Sequence, residues 1–315
     1  MNGSINGSQI EVDPFLFLII KTLSVNILPV LNGISAISNL IPVIALIAYK
    51  LKNRTRTYIK FIFMSQFLLC LFCSIGSQET GIITDESDVY NNLYTHILRV
   101  YFLKAFNEIL SSCIGFAELA LSIEKIYLFR NRKIWLTKIK TTYIIGFISI
   151  FSTIQLFPEF FLSQIEYKSP GVYKRSLNFF GKSLIYSVYI NSLSFTVLTV
   201  IVLHIINIIL LAIEYKKFLI NKKKWNLGHK SKNNIIIFIF IQSFLYYITC
   251  LLYMISTAKI SIDAIFNVPY DPTTIVIRYL LHVYQPINFF LCSLLVFYYD
   301  EQLNRNLTRI FLKKK

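Results

Sequence analysis

Between Lys104 and Phe129 an otherwise apolar stretch carries five charged residues: Lys104, Glu108, Glu118, Glu124 and Lys125. A charge at the centre of a bilayer costs roughly 2.5–3.5 kcal/mol on insertion scales, so each needs a partner or a task. At about 100° per helical residue, Lys104, Asn107, Ser111, Glu118, Ser122 and Lys125 fall within about 60° of one another. They form a polar stripe along an apolar helix. Two chemistries suit it. Polar side chains hydrogen-bond across helices in membranes and hold bundles together. Alternatively, Lys104, Asn107, Glu108 and Ser111 line a ligand cavity, while Glu118, Glu124 and Lys125 form a charged lock that a ligand releases. Lys104 and Glu108 also stand at i, i+4, the spacing of an intrahelical ion pair.

A second polar face lies near the C-terminal end, where Thr274, Arg278, His282 and Gln285 recur at helical spacing. Arg278 has three outlets: pairing with Glu108, binding an anionic ligand group, or snorkelling to the membrane surface. His282 reads either as a hydrogen-bonded interior residue or as a ligand contact.

Enzymatic chemistry finds no footing. Hydrolysis in a bilayer needs a metal or an activated nucleophile with a base in reach. The sequence has no His-Glu-x-x-His, no paired intramembrane aspartates and no Gly-x-Ser-x-Gly, and its histidines, His96, His204, His229 and His282, fall on separate elements. Cys70, Cys73, Cys113, Cys250 and Cys292 all sit in apolar runs, where cysteine packs as a small hydrophobe. No metal site and no cofactor is expected.

The elements that must position these residues are membrane helices. Of the 315 residues 55% are hydrophobic and 15% charged, against about 25% charged in a soluble chain. A span needs about 20 largely apolar residues. Seven runs qualify: Leu23 to Tyr49, Ile59 to Ser77, Ile97 to Phe129, Tyr143 to Leu162, Ser183 to Ile213, Asn234 to Ala258 and Thr274 to Tyr299. The expected fold is an all-α bundle of seven transmembrane helices forming a single domain over residues 1–315. The flanks are a short outer N-terminus (1–22) and a cytoplasmic tail (300–315).

Orientation follows from the loops. The net charge of +16 would suggest nucleic acid in a soluble protein. Here the basic residues cluster after spans one, three and five (Lys50 to Lys60, Arg130 to Lys140, Lys216 to Lys232) and in Lys313–Lys315. The positive-inside rule puts those segments in the cytoplasm, and no nucleic-acid partner is expected. The loop with Glu79, Asp85, Glu86 and Asp88 is then outside, as is the mildly basic loop Ser163 to Lys182. Asn2 and Asn6, each in Asn-Gly-Ser, become candidate glycosylation acceptors. In the tail, Leu303, Leu307, Ile310 and Phe311 share a helical face with Arg305 and Arg309 elsewhere, the pattern of a basic amphipathic helix on the inner leaflet.

This layout resembles a rhodopsin-like G-protein-coupled receptor. Glu124-Lys125 is similar to that family's acidic–Arg–Tyr motif, with Lys for Arg and Ile126 for Tyr. Asn39 resembles the polar Asn of span one, and Gln285-Pro286-Ile287-Asn288-Phe289 the Asn-Pro-x-x-Tyr motif of span seven. The departures are an absent span-two Asp, no extracellular disulfide, no Trp-x-Pro in span six and no span-seven lysine. Asn107 stands where amine receptors carry Asp. Phe116 to Lys125 looks similar to the glutamate-rich end of span three in nematode serpentine chemoreceptors. The resemblance implies a plasma-membrane receptor, in sensory-neuron cilia, for a small environmental molecule, signalling through a heterotrimeric G protein. It makes Asn39, Glu118, Glu124, Lys125, Gln285, Pro286 and Phe289 candidate switch residues. The alternative is a seven-span ion channel or transporter subunit, although no internal repeat of the transporter kind is visible.

Overall fold

The computed structural model describes residues 18, 22–48, 53–76, 104–129, 138–156, 163–169, 172–177, 201–210, 212–213, 216, 237–249, 251–252, 272–300 and 303–305. Helix α1 (Leu28–Ala48) follows a π-helical turn, Leu23–Ile27, in which the Leu28 N–H reaches back to the Leu23 carbonyl. Then come α2 (Arg54–Gly76), α3 (Lys104–Phe129) and α4 (Thr141–Leu156). A two-stranded hairpin, β1 (Ser163–Ser169) and β2 (Val172–Leu177), comes next, followed by α5 (Ile201–Leu210), α6 (Ile237–Thr249) and α7 (Pro272–Tyr299).

Three helical stretches are long and apolar enough to cross a bilayer: Leu28–Ala48, Arg54–Ser74 and Leu280–Tyr299. By length and composition the chain is a membrane protein. Helix α3 is 26 residues long and carries the five charges Lys104, Glu108, Glu118, Glu124 and Lys125. Each of α1 to α7 overlaps one of the seven expected apolar runs. Within the loop expected from Ser163 lies a short hairpin: Ser163–Leu177 is an antiparallel pair with Ser163 opposite Leu177, Glu166 opposite Lys174 and Tyr167 opposite Tyr173.

Helix α1 turns its polar side chains inward and many of its large apolar ones outward. On α1 the buried positions include Asn32, Ser35, Ser38 and Asn39, whereas Val30, Ile34, Ile37, Ile44 and Ile47 face outward. Lipid is as apolar as leucine, so burying leucine gains little there. Small and polar residues instead go inward, where they allow close approach and satisfy one another. Helix α1 packs against α2 and α7, α2 against α3 and α4, and α3 against α4. Their shared core includes Val43, Tyr58, Phe63, Ile114, Ala117, Leu121 and Phe289.

Helix α2 starts five residues before the expected Ile59. Asn53 accounts for this: its side-chain Oδ1 accepts the Thr55 N–H at 3.2 Å, and its carbonyl accepts the Thr57 N–H at 2.9 Å. That is N-capping by asparagine. It draws Arg54 and Arg56, read from sequence as loop charges, into the first helical turn.

Candidate functional site

Where α2 begins and α3 ends, the two helices are joined by charge. Arg54 donates from Nε to Glu124 Oε1 at 2.7 Å and from Nη2 to Oε2 at 3.1 Å. Its Nη1 donates to the Ile139 carbonyl at 2.6 Å, just before α4. The Glu124 side chain is 3% exposed and that of Arg54 32%. A bidentate guanidinium–carboxylate pair fixes direction as well as distance, so one arginine ties α2, α3 and the approach to α4 together. Two residues on, Arg56 Nε and Nη2 each lie 3.4 Å from the Asp300 carboxylate. Asp300 Oδ1 also accepts the Leu303 N–H at 3.0 Å, so the carboxylate caps the turn that leaves α7. Leu303 itself is fully buried. The first turn of α2 thus holds both the end of α3 and the exit of α7.

Farther along α3, the polar stripe meets α6. The Ser111 carbonyl accepts from Tyr246 Oη at 3.2 Å, Glu118 Oε1 accepts from Gln242 Nε2 at 2.9 Å, and Ser122 and Ser243 share a hydroxyl–hydroxyl bond at 3.0 Å. The pairing runs antiparallel. Close approach at Gly115 makes it possible: a methyl group there would press on the Tyr246 hydroxyl and stand 2.9 Å from its Cζ. The Tyr246 ring also meets His204 of α5, ring centroids 5.0 Å apart. His204 and Asn207, one turn apart, are the polar residues on the inward side of α5, both buried.

On the opposite side of the core, Ser35 Oγ donates to the Pro286 carbonyl at 2.9 Å, and Asn39 Nδ2 donates to the Ser35 carbonyl at 2.7 Å. Asn288 Nδ2 donates to Thr249 Oγ1 at 3.0 Å and its Oδ1 accepts from Cys292 Sγ at 3.4 Å. Proline inside α7 removes one backbone donor, and the polar contacts with α1 and α6 gather in the turn at and just after it.

The expected site residues therefore divide. Ser111, Glu118 and Ser122 come together on α6. Asn39 and Pro286 are joined through Ser35. Phe289 is buried, Gln285 half-buried, and His282 is on the exposed side of α7. Asn107 and Glu108 are half-buried on α3. Glu124 turns to Arg54 and not toward Lys125, because adjacent helical residues point about 100° apart. The side chains of Lys104 and Arg278 lie outside the described residues, as do Asn2, Asn6, the acidic loop and the end of the tail. Arg54, Arg56, Asp300, Gln242, His204, Asn207 and Ser35 were not singled out from sequence. Only Arg54 and Arg56 gave a signal, the Asn53 cap immediately before them. No group of three or more metal-ligating side chains is present among the described residues. No protein-family model matches the chain, and no curated protein matches it.

Proposed function

We propose that the chain is a seven-span receptor with its N-terminus outside and its tail in the cytoplasm. It takes a small environmental molecule at the plasma membrane of a sensory cell and acts on a heterotrimeric G protein through its basic inner loops. One observation carries the reading. Helix α3 holds Glu118 in a buried polar contact with α6 and, six residues or about 9 Å further along, Glu124 in the charged clasp with Arg54. A rigid helix with a polar contact at mid-length and a charged clasp at its end suits a two-state transducer, in which a ligand shifts a pre-existing equilibrium. Asn107, Glu108 and Ser111 of α3, with Lys104, Arg278 and His282, are the ligand-facing candidates of this reading.

The test is topology in intact cells, with a tag at each terminus and glycosidase treatment to report on Asn2 and Asn6. An outside, glycosylated N-terminus and an inside tail support the receptor and are followed by a G-protein activation assay. The reverse orientation overturns it and turns attention to the channel alternative, tested by patch-clamp recording.

A further inference from the structure

The contact between Glu118 of α3 and Gln242 of α6 is only half closed. Gln242 Nε2 donates to Glu118 Oε1 at 2.9 Å. The other polar atom of each fork, Glu118 Oε2 and Gln242 Oε1, is buried without a hydrogen-bond partner. Both residues are 3% exposed, which shuts out bulk water. An unmet buried polar group costs about 1–3 kcal/mol, and such groups in native proteins are ordinarily paired.

The described surroundings supply no donor for the two oxygens. Ser122, one turn further along α3, shares its bond with Ser243. Tyr246, one turn along α6, gives its hydroxyl proton to the Ser111 carbonyl. On α5, His204 rests against the Tyr246 ring, and neither its ring nitrogens nor the Asn207 amide reaches the carboxyl. On α7, the Cys292 thiol donates to Asn288 Oδ1. Lys125 stands two turns away along α3. Among the described residues no lysine or arginine pairs with Glu118; the ion pairs there are Arg54 with Glu124 and Arg56 with Asp300.

An ionised Glu118 would be a buried charge with no counterion, beside an amide oxygen that also lacks a donor. Both are costly. One proton removes both costs. A carboxylic acid offers one O–H and one acceptor oxygen, and a primary amide offers N–H and one acceptor oxygen. The two planar forks are complementary: the amide N–H goes to one carboxyl oxygen, and the acid O–H returns to the amide oxygen. The first of these bonds is in the structure. The second joins the two atoms left over.

We propose that Glu118 holds a proton and closes a two-bond acid–amide ring with Gln242, a proton-binding site that clasps α3 to α6. The site rests on the α3–α6 contact and not on the receptor reading. Loss of the proton undoes the second bond and leaves the charge uncompensated, so the clasp is strong only while the proton is held.

The experiment is infrared difference spectroscopy of the full chain in lipid nanodiscs at neutral pH, with no ligand and no G protein. A protonated carboxyl absorbs as a separate carbonyl band above the amide band. The parent is expected to show such a band and Glu118→Gln to lose it. In Gln242→Leu the band is expected to persist but move to higher frequency, because a hydrogen bond accepted by a carbonyl lowers its stretch. Glu118→Gln puts a neutral fork of the same shape in place, able to make both bonds, so this variant should melt with the parent. A Glu118→Gln spectrum that loses carboxylate absorption and keeps the acid band overturns the proposal. So does an acid band that stays at its parent frequency in Gln242→Leu. If Glu118→Gln fails to fold, the Gln242→Leu shift alone decides.

Discussion

The Arg54 guanidinium meets the Glu124 carboxylate along both of its edges, at 2.7 and 3.1 Å, with the acid almost wholly buried and the base about one-third exposed. The asymmetry decides what each substitution does. Removing the arginine strands a charge that water cannot reach, whereas removing the acid leaves an arginine that can turn to solvent. Arg54→Ala is expected to cost about 2–3 kcal/mol, below the usual cost of breaking a fully buried pair because Arg54 is partly solvated. Glu124→Gln is expected to cost less. Unfolding of both single variants and the double variant closes a cycle, in which the double should cost clearly less than the sum of the singles. Additive losses would show that the pair contributes no coupling.

On the receptor reading the same clasp holds the resting state. Arg54→Ala is expected to raise basal G-protein activation, while Lys125→Ala leaves surface expression and the clasp intact and abolishes the ligand-evoked response. Unchanged signalling in Lys125→Ala would remove Lys125 from the switch.

Gly115→Ala places a methyl group against the Tyr246 hydroxyl and ring, and that ring also packs on His204. Overpacking of this kind costs about 1–3 kcal/mol. Tyr246→Phe removes the nearest atom and should recover part of the loss in the double variant. A Gly115→Ala chain that melts like the parent would mean that α3 and α6 separate without penalty.

Gln242→Leu leaves Glu118 without its one described donor. The expected loss is about 1–3 kcal/mol, the cost of leaving a buried polar group unmet. Gln242→Asn, too short to reach, should behave similarly. Equal stability of Gln242→Leu and the parent would show that Glu118 is satisfied from elsewhere.

Asp300 has two partners, Arg56 and the Leu303 N–H. Asp300→Asn keeps the capping oxygen and loses the ion pair; Asp300→Ala loses both. Typical capping losses of about 1 kcal/mol predict that Ala falls below Asn by roughly that amount, with faster proteolysis of the tail. Identical behaviour of the two would place the whole effect in the ion pair.

The amino-acid order alone determined where helices form. Long apolar runs broken by basic clusters leave no other backbone arrangement able to satisfy its own hydrogen bonds in lipid. Each of α1 to α7 overlaps an expected run. The α3 stripe was legible too, since 3.6-residue periodicity is a local property and Ser111, Glu118 and Ser122 do share a partner. What sequence could not supply was the partner itself. Glu124 next to Lys125 reads as a pair on paper, yet helical geometry sends neighbours to different faces, and the acid's counterion comes from a position 70 residues earlier. His204 and Asn207 look unremarkable in an apolar run until tertiary packing buries both, His204 against the Tyr246 ring. The hairpin at Ser163–Leu177 escaped because its strands are short and pair only with each other. Periodicity fixes which side of a helix is polar, and only the packing of helices decides what that side meets.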